Sequence, residues 1–435
     1  MTRSNRPAGA QHGSTRRDDS ARTPFRSITN RGRSASPERS QTAKRVYRRS
    51  RSPAYYDPPL DEDEDTGHED SAQDHEDEEE LRKSDKLTKH LAKVRRSLYD
   101  SALVEKGKVF TRYIDAIYTP ADAIEHMLER AAQREAGADV AYDNTAERHW
   151  RNWNALCDIA PTLYTRILKC GDDISKLGVI EASLNHGASQ ARSESVNSMK
   201  RSNSNTAATW LDRLGLVTAD TPNPLHVDKK ALGYVNPTTA KMLCPCNKNI
   251  NGRGVREGLE KNKISKTALP LVLFENYHFD ATDPDAGLLQ SDMIVWTYQH
   301  IFTGPSSVGR TAGAGRATNR ETNAEIAGKT EVTPESIAFA ALILRFLLSP
   351  AKSLLVRDTS EFNYKKLYDQ IVAYFATDLA ATGNTPGKQL LAWWNERVFG
   401  ENNDPDDDDE CIAVIAARAR AARAAAATTT TEPEQ

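Results

Sequence analysis

Cysteine is scarce in this chain, and a long apolar run is missing altogether. Five cysteines, Cys157, Cys170, Cys244, Cys246 and Cys411, are scattered irregularly over 435 residues. That spacing argues against a disulfide framework and fits a reducing compartment. The longest apolar stretch, Ile337 to Leu348, contains Arg345 and holds about a dozen residues where a membrane span needs roughly 20. It reads as a buried core helix, so no membrane partner is expected. No apolar run follows the arginines near the N-terminus, so the chain reads as intracellular and not secreted. Self-similarity at a period of roughly 20–50 residues is also missing, which excludes solenoid and propeller architectures.

What is present is charge, sorted by sign. The net charge of -3 averages over opposed blocks. From Thr2 to Tyr56 the charged residues are nearly all arginine, and through residues 57–80 the sign reverses in "DEDEDTGHEDSAQDHEDEEE". Such blocks repel themselves and carry too little apolar surface to offset the entropy of ordering. Residues 1–56 are therefore expected to be a disordered Arg/Ser-rich basic tail, and 57–80 a disordered acidic segment. A second acidic run, Glu401 to Glu410, opens a low-complexity Ala/Thr-rich end, residues 401–435.

Residues 81–400 alternate helical patterns with punctuators. Leu87, Leu91, Val94, Leu98, Leu103, Phe110, Ile114 and Ile117 recur at helical spacing. Thr119 and Pro120 then stand as N-cap and first residue of a new helix that ends at Gly137. Further helices are predicted over "NTAERHWRNWNALCDIAPTLYTRILKC", broken at Pro161, over "DDISKLGVIEASLNHGASQARSESVNSMK", and over "AGLLQSDMIVWTYQHIF". Three more follow: "TPESIAFAALILRFLLS" with Thr333 as cap, "EFNYKKLYDQIVAYFA" and "TPGKQLLAWWNERVF". The stretch between is rich in proline and glycine, with a short strand expected at Leu269 to Phe274. The fold class is thus mainly α, with about eight to ten helices. It forms a single or two-lobed domain, with lobes 81–215 and 278–400 joined by an irregular, extended 216–277.

Four motifs invite chemistry. "GPSSVGRT", Gly304 to Thr311, differs from a phosphate-binding loop by an arginine in place of the lysine. Such a loop must follow a buried strand and open a helix. Here the preceding residues read as helix and the following glycines resist one, so the stretch is expected to be a connector. Cys244 and Cys246 form a C-x-C pair, a poorer chelate than the C-x(2–4)-C of zinc sites, and no metal is assigned. His278 and Asp280 make an H-x-D pair that could supply two legs of an iron triad, but a turn-forming aspartate accounts for it. "RSESVNSMK" places Arg192, Glu194 and Lys200 amid hydroxyls. It reads either as a buried ion pair or as an anion site with Arg192 and Lys200 as donors. No catalytic residue and no cofactor are assigned.

"GLLQSDMIVWTYQHIFTGPSSVG" (Gly287 to Gly309), "KMLCP" (Lys241 to Pro245), "ARSES" (Ala191 to Ser195) and "LLAWWNERVF" (Leu390 to Phe399) occur in order along the chain. With these motifs the stretch from Leu98 to Phe399 resembles an uncharacterised helical domain family abundant in mushroom-forming fungi. Where that family continues its arginine–serine motif with two acidic residues, this chain has Glu194-Ser195, and Cys246 is particular to it. The resemblance implies a helical fungal domain and carries no activity with it.

The tail carries the clearest functional signal. "RSASPERS" and "KRVYRRSRSP" combine arginine–serine dipeptides with Thr23, Ser36 and Ser52, each followed by proline. Arg45, Arg48, Arg49 and Arg51 are candidate phosphate-backbone contacts of the kind that bind nucleic acid by counterion release. "KRVYRRSR" also suits nuclear import. The expectation is a non-enzymatic, nuclear interaction protein. Its tail would contact nucleic acid without sequence preference, and its helical domain would bind protein partners yet to be identified. The alternatives are an enzyme acting on nucleic acid, with a site from Arg192, Glu194, Lys200, His278 and Asp280, and a regulatory product of a multiplied, mobile-element-linked fungal gene set.

Overall fold

Asp100 starts the first helix. Its carboxylate accepts hydrogen bonds from the amides of Ala102 and Leu103, which satisfies donors that a helix start leaves open, and α1 runs Ser101–Tyr113. Thr119 and Asp122 form a reciprocal capping box around Pro120 and open α2, Pro120–Glu135. Asp143 caps α3, Asn144–Ile159, and Pro161 separates it from α4, Leu163–Cys170. Then come the 27-residue α5, Ile174–Lys200, and the short α6, Ala207–Arg213. Short helices α7, Pro237–Leu243, and α8, Val255–Glu260, punctuate the middle. The last five are α9, Asp292–Phe302, α10, Asn323–Ile326, α11, Pro334–Leu347, α12, Tyr364–Ala380, and α13, Pro386–Phe399.

This computed structural model describes residues 99–400 except 138–142, 201–206, 218–222, 224, 226–227, 311–320, 355 and 357–361. All described residues belong to one compact unit, Asp57–Gln435; the other unit, Met1–Tyr56, lies outside them, as do the acidic segment, residues 81–98 and residues 401–435. The fold is mainly α. Among the described residues there are thirteen α-helices and no strand, more helices than the periodicity predicts. The extra ones, α6, α7, α8 and α10, have four to seven residues each. Helices that short are marginal alone and depend on packing and caps rather than on a readable period. The strand expected at Leu269 to Phe274 is instead a 3-10 turn, Leu271–Leu273, with isolated bridges Pro245 to Pro270 and Phe274 to Leu288. Proline has no N–H to give a ladder, so pairing stops after one step. No helix among the described residues is long and apolar enough to cross a membrane.

Helices α1 and α5 approach so closely that two of their glycines leave no room for a side chain. A Cβ on Gly187 would lie 1.9 Å from the Val104 carbonyl oxygen, and one on Gly107 would lie 2.0 Å from that of Leu184. Each helix therefore sets a bare backbone against the other. This contact lets α1 feed two apolar clusters at once. Leu103 and Phe110 join Ile124, Leu156, Leu163 and Leu184 in the smaller one, formed with α2, α3, α4 and α5. Val109 and Tyr113 join the larger one, centred on α9 and α11. Helix α11 is buried from Ser336 through Leu347, the mark of a helix surrounded on all sides. The irregular middle contributes Leu243, Cys244, Leu259, Val272 and Phe274 to the same cluster.

Gly187→Ala is expected to lower stability by about 1–3 kcal/mol, the usual range for an overpacked site, because the added methyl meets a backbone carbonyl that cannot rotate away. Thermal melting read by circular dichroism checks this; Gly178→Ala on the same helix, where a Cβ meets nothing within 4 Å, serves as the neutral comparison.

Candidate functional site

The α1–α5 seam gathers the polar residues singled out in "RSESVNSMK". On α1, Glu105, Lys108 and Arg112 follow one another at helical spacing, so they share a face. Across the seam Glu194 of α5 receives both cations: Lys108 Nζ stands 2.8 Å from Oε1 and Arg112 Nη2 3.2 Å from Oε2. Lys108 also reaches Glu105 at 3.1 Å. Arg112 Nη1 donates to Asn323 Oδ1 on α10 at 3.1 Å, and Asn323 Nδ2 in turn donates to the Ile301 carbonyl at the end of α9. Arg112 is only 5% exposed, Glu194 48%, so the pair runs from the interior to the rim. Burial draws the Arg112 guanidinium below its ordinary value against the pull of Glu194. At Lys108, burial works in the same direction, but Glu194 and Glu105 outweigh it and the pKa is raised.

The seam is thus an ion-paired joint. Of the two expected anion donors, Arg192 is half-buried and Lys200 is exposed at the end of α5, and both are engaged by other groups of the chain. They stand eight residues apart, about 12 Å along the axis at the usual rise. Below them Ser195 Oγ donates to the Ala191 carbonyl, and Ser198 Oγ pairs with His300 Nε2 at 3.1 Å, with the Trp210 ring edge-on to the imidazole.

The other candidates are placed elsewhere. His278 follows the 3-10 turn Glu275–Tyr277, and Asp280 accepts from the amide and hydroxyl of Thr282, which holds its carboxyl below the ordinary value. Neither exchanges a hydrogen bond or ion pair with Arg192, Glu194 or Lys200 among the described residues. Cys244 is fully buried, with Sγ directed at the Pro245 and Lys248 carbonyls, and burial pushes the Cys244 and Cys246 thiols up. Among the described residues no group of three or more His, Cys, Asp or Glu side chains is arranged to hold a metal. Gly304 follows α9, and Pro305–Ser307 is a 3-10 turn whose far side is held by Gln299, which accepts from the Gly309 amide. The near phosphate-loop therefore has a helix where the required strand would stand. Trp394 packs in the core against Tyr298, and Asn395 Oδ1 takes the Val332 amide.

A second polar hub escaped the sequence. Asp115, 1% exposed, accepts five hydrogen bonds: from the Ile117 and Tyr118 amides, from Arg148 Nε and Nη2, and from Asn152 Nδ2. Arg148 Nη1 continues to Asp369 on α12 at 2.6 Å, and its guanidinium lies 4.9 Å from the Tyr118 ring and 5.4 Å from that of Tyr368. The sequence placed it inside a helical run carried on to Ile117, whereas α1 ends at Tyr113; its side-chain partners are 33 to 37 residues away.

Residues 186–399 match a family of unknown function, DUF6698. No curated protein and no solved structure matches the chain. The DUF6698 match starts inside α5 and ends at the last residue of α13, so it takes in the second part of the stretch from Leu98 over which a family likeness was expected. Gly187 and Glu194 fall within it, while their partners Gly107, Lys108 and Arg112 precede it.

Asp115→Asn is expected to cost about 3–5 kcal/mol, the loss typical when one member of a buried pair is removed and its partner stays charged; chemical denaturation at neutral pH measures it. A second expectation concerns pH. Burial, with Glu125 nearby, pushes the Glu181 carboxyl up to about 7. A carboxyl raised on folding contributes fully below its unfolded value and loses that contribution as pH rises through the folded one. Glu181→Gln should therefore melt with the wild type at about pH 4 and above it at about pH 8.

Proposed function

We propose that the protein is a non-enzymatic nuclear interaction protein. Its Arg/Ser-rich tail contacts nucleic acid without sequence preference, and its helical domain binds a protein partner. The observation that carries this reading is the segregation of charge in the sequence, with arginines up to Tyr56 and acids from Asp57 to Glu80. Arginine at that density neutralises backbone phosphates and releases their counterions. The acidic block competes for the same arginines, and phosphorylation of Ser36 or Ser52 beside them would reduce the positive charge in the same sense. Arg45, Arg48, Arg49 and Arg51 lie outside the described residues, so the tail's role rests on its composition. The helical domain supports the reading by what its polar residues do: Lys108, Arg112 and Glu194 are engaged with one another across the α1–α5 seam, as structural groups are. Likeness to a domain family of mushroom-forming fungi points to a fungal setting.

Binding of fluorescent single- and double-stranded DNA and RNA, titrated over a range of salt, tests it. The full chain should bind with a steep salt dependence. Replacing Arg45, Arg48, Arg49 and Arg51 together by glutamine should weaken binding on every sequence and lower the logarithmic slope on duplex DNA by up to ~3.6, at about 0.9 per contact. An unchanged slope and affinity would sink the tail's role. A fluorescent fusion that stays cytoplasmic with and without residues 1–56 would remove the nuclear part.

A further inference from the structure

The irregular middle of the domain makes a closed excursion. Cys246 N donates to the Leu269 carbonyl at 2.8 Å, and Leu271 N donates to the Cys244 carbonyl at 2.9 Å, so the chain leaves and returns at one point. Between those ends, residues 246–269 form a surface loop that carries α8. It is anchored from within: Leu259 is fully buried, and Ile250, Val255 and Ile264 pack against the larger cluster. A Cβ on Gly258 would stand 2.6 Å from Ile264 Cδ1, so the returning strand of the loop lies directly on α8. Loops held this way by a scaffold are where binding groups concentrate.

The charge on this loop is one-sided. It has six cations, Lys248, Arg253, Arg256, Lys261, Lys263 and Lys266, against Glu257 and Glu260. Glu257 is taken by Lys261 at 2.6 Å. Arg256 Nε donates to the Tyr234 carbonyl, and Lys266 is engaged by Asn262 and lies over the Tyr234 ring. Lys248, Arg253 and Lys263 are exposed, and their side chains exchange no hydrogen bond or ion pair among the described residues. Elsewhere in the domain Lys108, Arg148, Arg166 and Lys365 each meet a carboxylate. The exposed Asn247, Asn249 and Asn251 add amide groups beside the loop's open cations.

We propose that loop 246–269 is a second nucleic-acid contact, set on the helical domain, which takes the phosphate backbone of a duplex through Lys248, Arg253 and Lys263. Cations and side-chain amides are the groups that hold phosphate oxygens without reading sequence. The loop contains no aromatic residue, so it offers no platform for the base stacking on which single-strand binding draws. An anchored loop holds its cations at fixed positions, which suits the regular phosphate array of a duplex. The proposal rests on the nucleic-acid reading of the protein but does not need the tail to be a contact.

The salt titration of the full chain tests it, with Arg45, Arg48, Arg49 and Arg51 already replaced by glutamine so that tail and loop are read separately. Adding Lys248→Gln, Arg253→Gln and Lys263→Gln should lower the logarithmic slope on duplex DNA by up to a further ~2.7, at about 0.9 per contact. Binding of single strands should weaken less. Arg134→Gln, Arg151→Gln and Lys169→Gln, at exposed positions on α2, α3 and α4, should leave the duplex slope where it was. An unchanged slope with the loop substitutions, or an equal fall with the three on the helices, overturns the proposal whether or not the tail binds. A loss equal on duplex and single strands also overturns it, because it marks charge alone. Capture of a polyglutamate peptide that is lost with the loop substitutions, while duplex binding is kept, would assign the loop to an acidic protein instead.

Discussion

The fold depends on two helices being allowed to touch. At Gly107 and Gly187 the backbones of α1 and α5 meet with no side chain between them, and this sets how the rest of α1 is shared. One stripe of α1 packs with α2, α3 and α4, the other with α9 and α11. The same approach brings Lys108 and Arg112 level with Glu194. Had either glycine carried a methyl, the helices would stand apart, the ion pairs would lengthen, and one helix could no longer serve both clusters. Tight packing transmits such a displacement because interiors have little free volume.

Asp115 and Arg148 fix the other side of α1. An ionised carboxylate almost wholly removed from water is costly, and here five donors offset that cost. Arg148 then places its remaining nitrogen on Asp369, so a charge ties α3 to α12. A pair of this kind is weak evidence for stability by itself. Its geometry does fix the angle between elements more than 200 residues apart in sequence. The domain is therefore built around two polar joints set into an apolar body, and both joints are closed by side chains of the chain itself.

How far the sequence could be read follows from what is local. Thr119–Pro120 and Thr333–Pro334 announce their helices because cap and first turn are adjacent residues. Ile337 to Leu348 announces burial because every face of that helix is apolar. Pro161 marks a break for the same local reason. In contrast, Leu269 to Phe274 looks like a strand by composition, and only the facing of Pro270 and Pro245 explains why no ladder grows. The cluster around Glu194 was visible as charge, but whether it would meet a ligand or a partner helix depended on Lys108 and Arg112. Asp115 gave almost no sign, since an aspartate within an expected helical run is ordinary until Arg148 and Asn152 arrive from α3. Gly107 and Gly187 likewise look like two dispensable glycines inside helices until each is seen against the other's carbonyl.

The α1–α5 seam also has a consequence for synthesis on the ribosome. Arg112 and Glu194 are 82 residues apart, and at about 5–20 residues per second the ribosome needs roughly 4–16 s to supply α5 after α1 has emerged. During that interval Leu103, Val109, Phe110 and Tyr113 have no α5 to cover them. The chain is thus committed to a waiting period in which α1 must be shielded by α2 to α4, or by a chaperone, before its final neighbour exists.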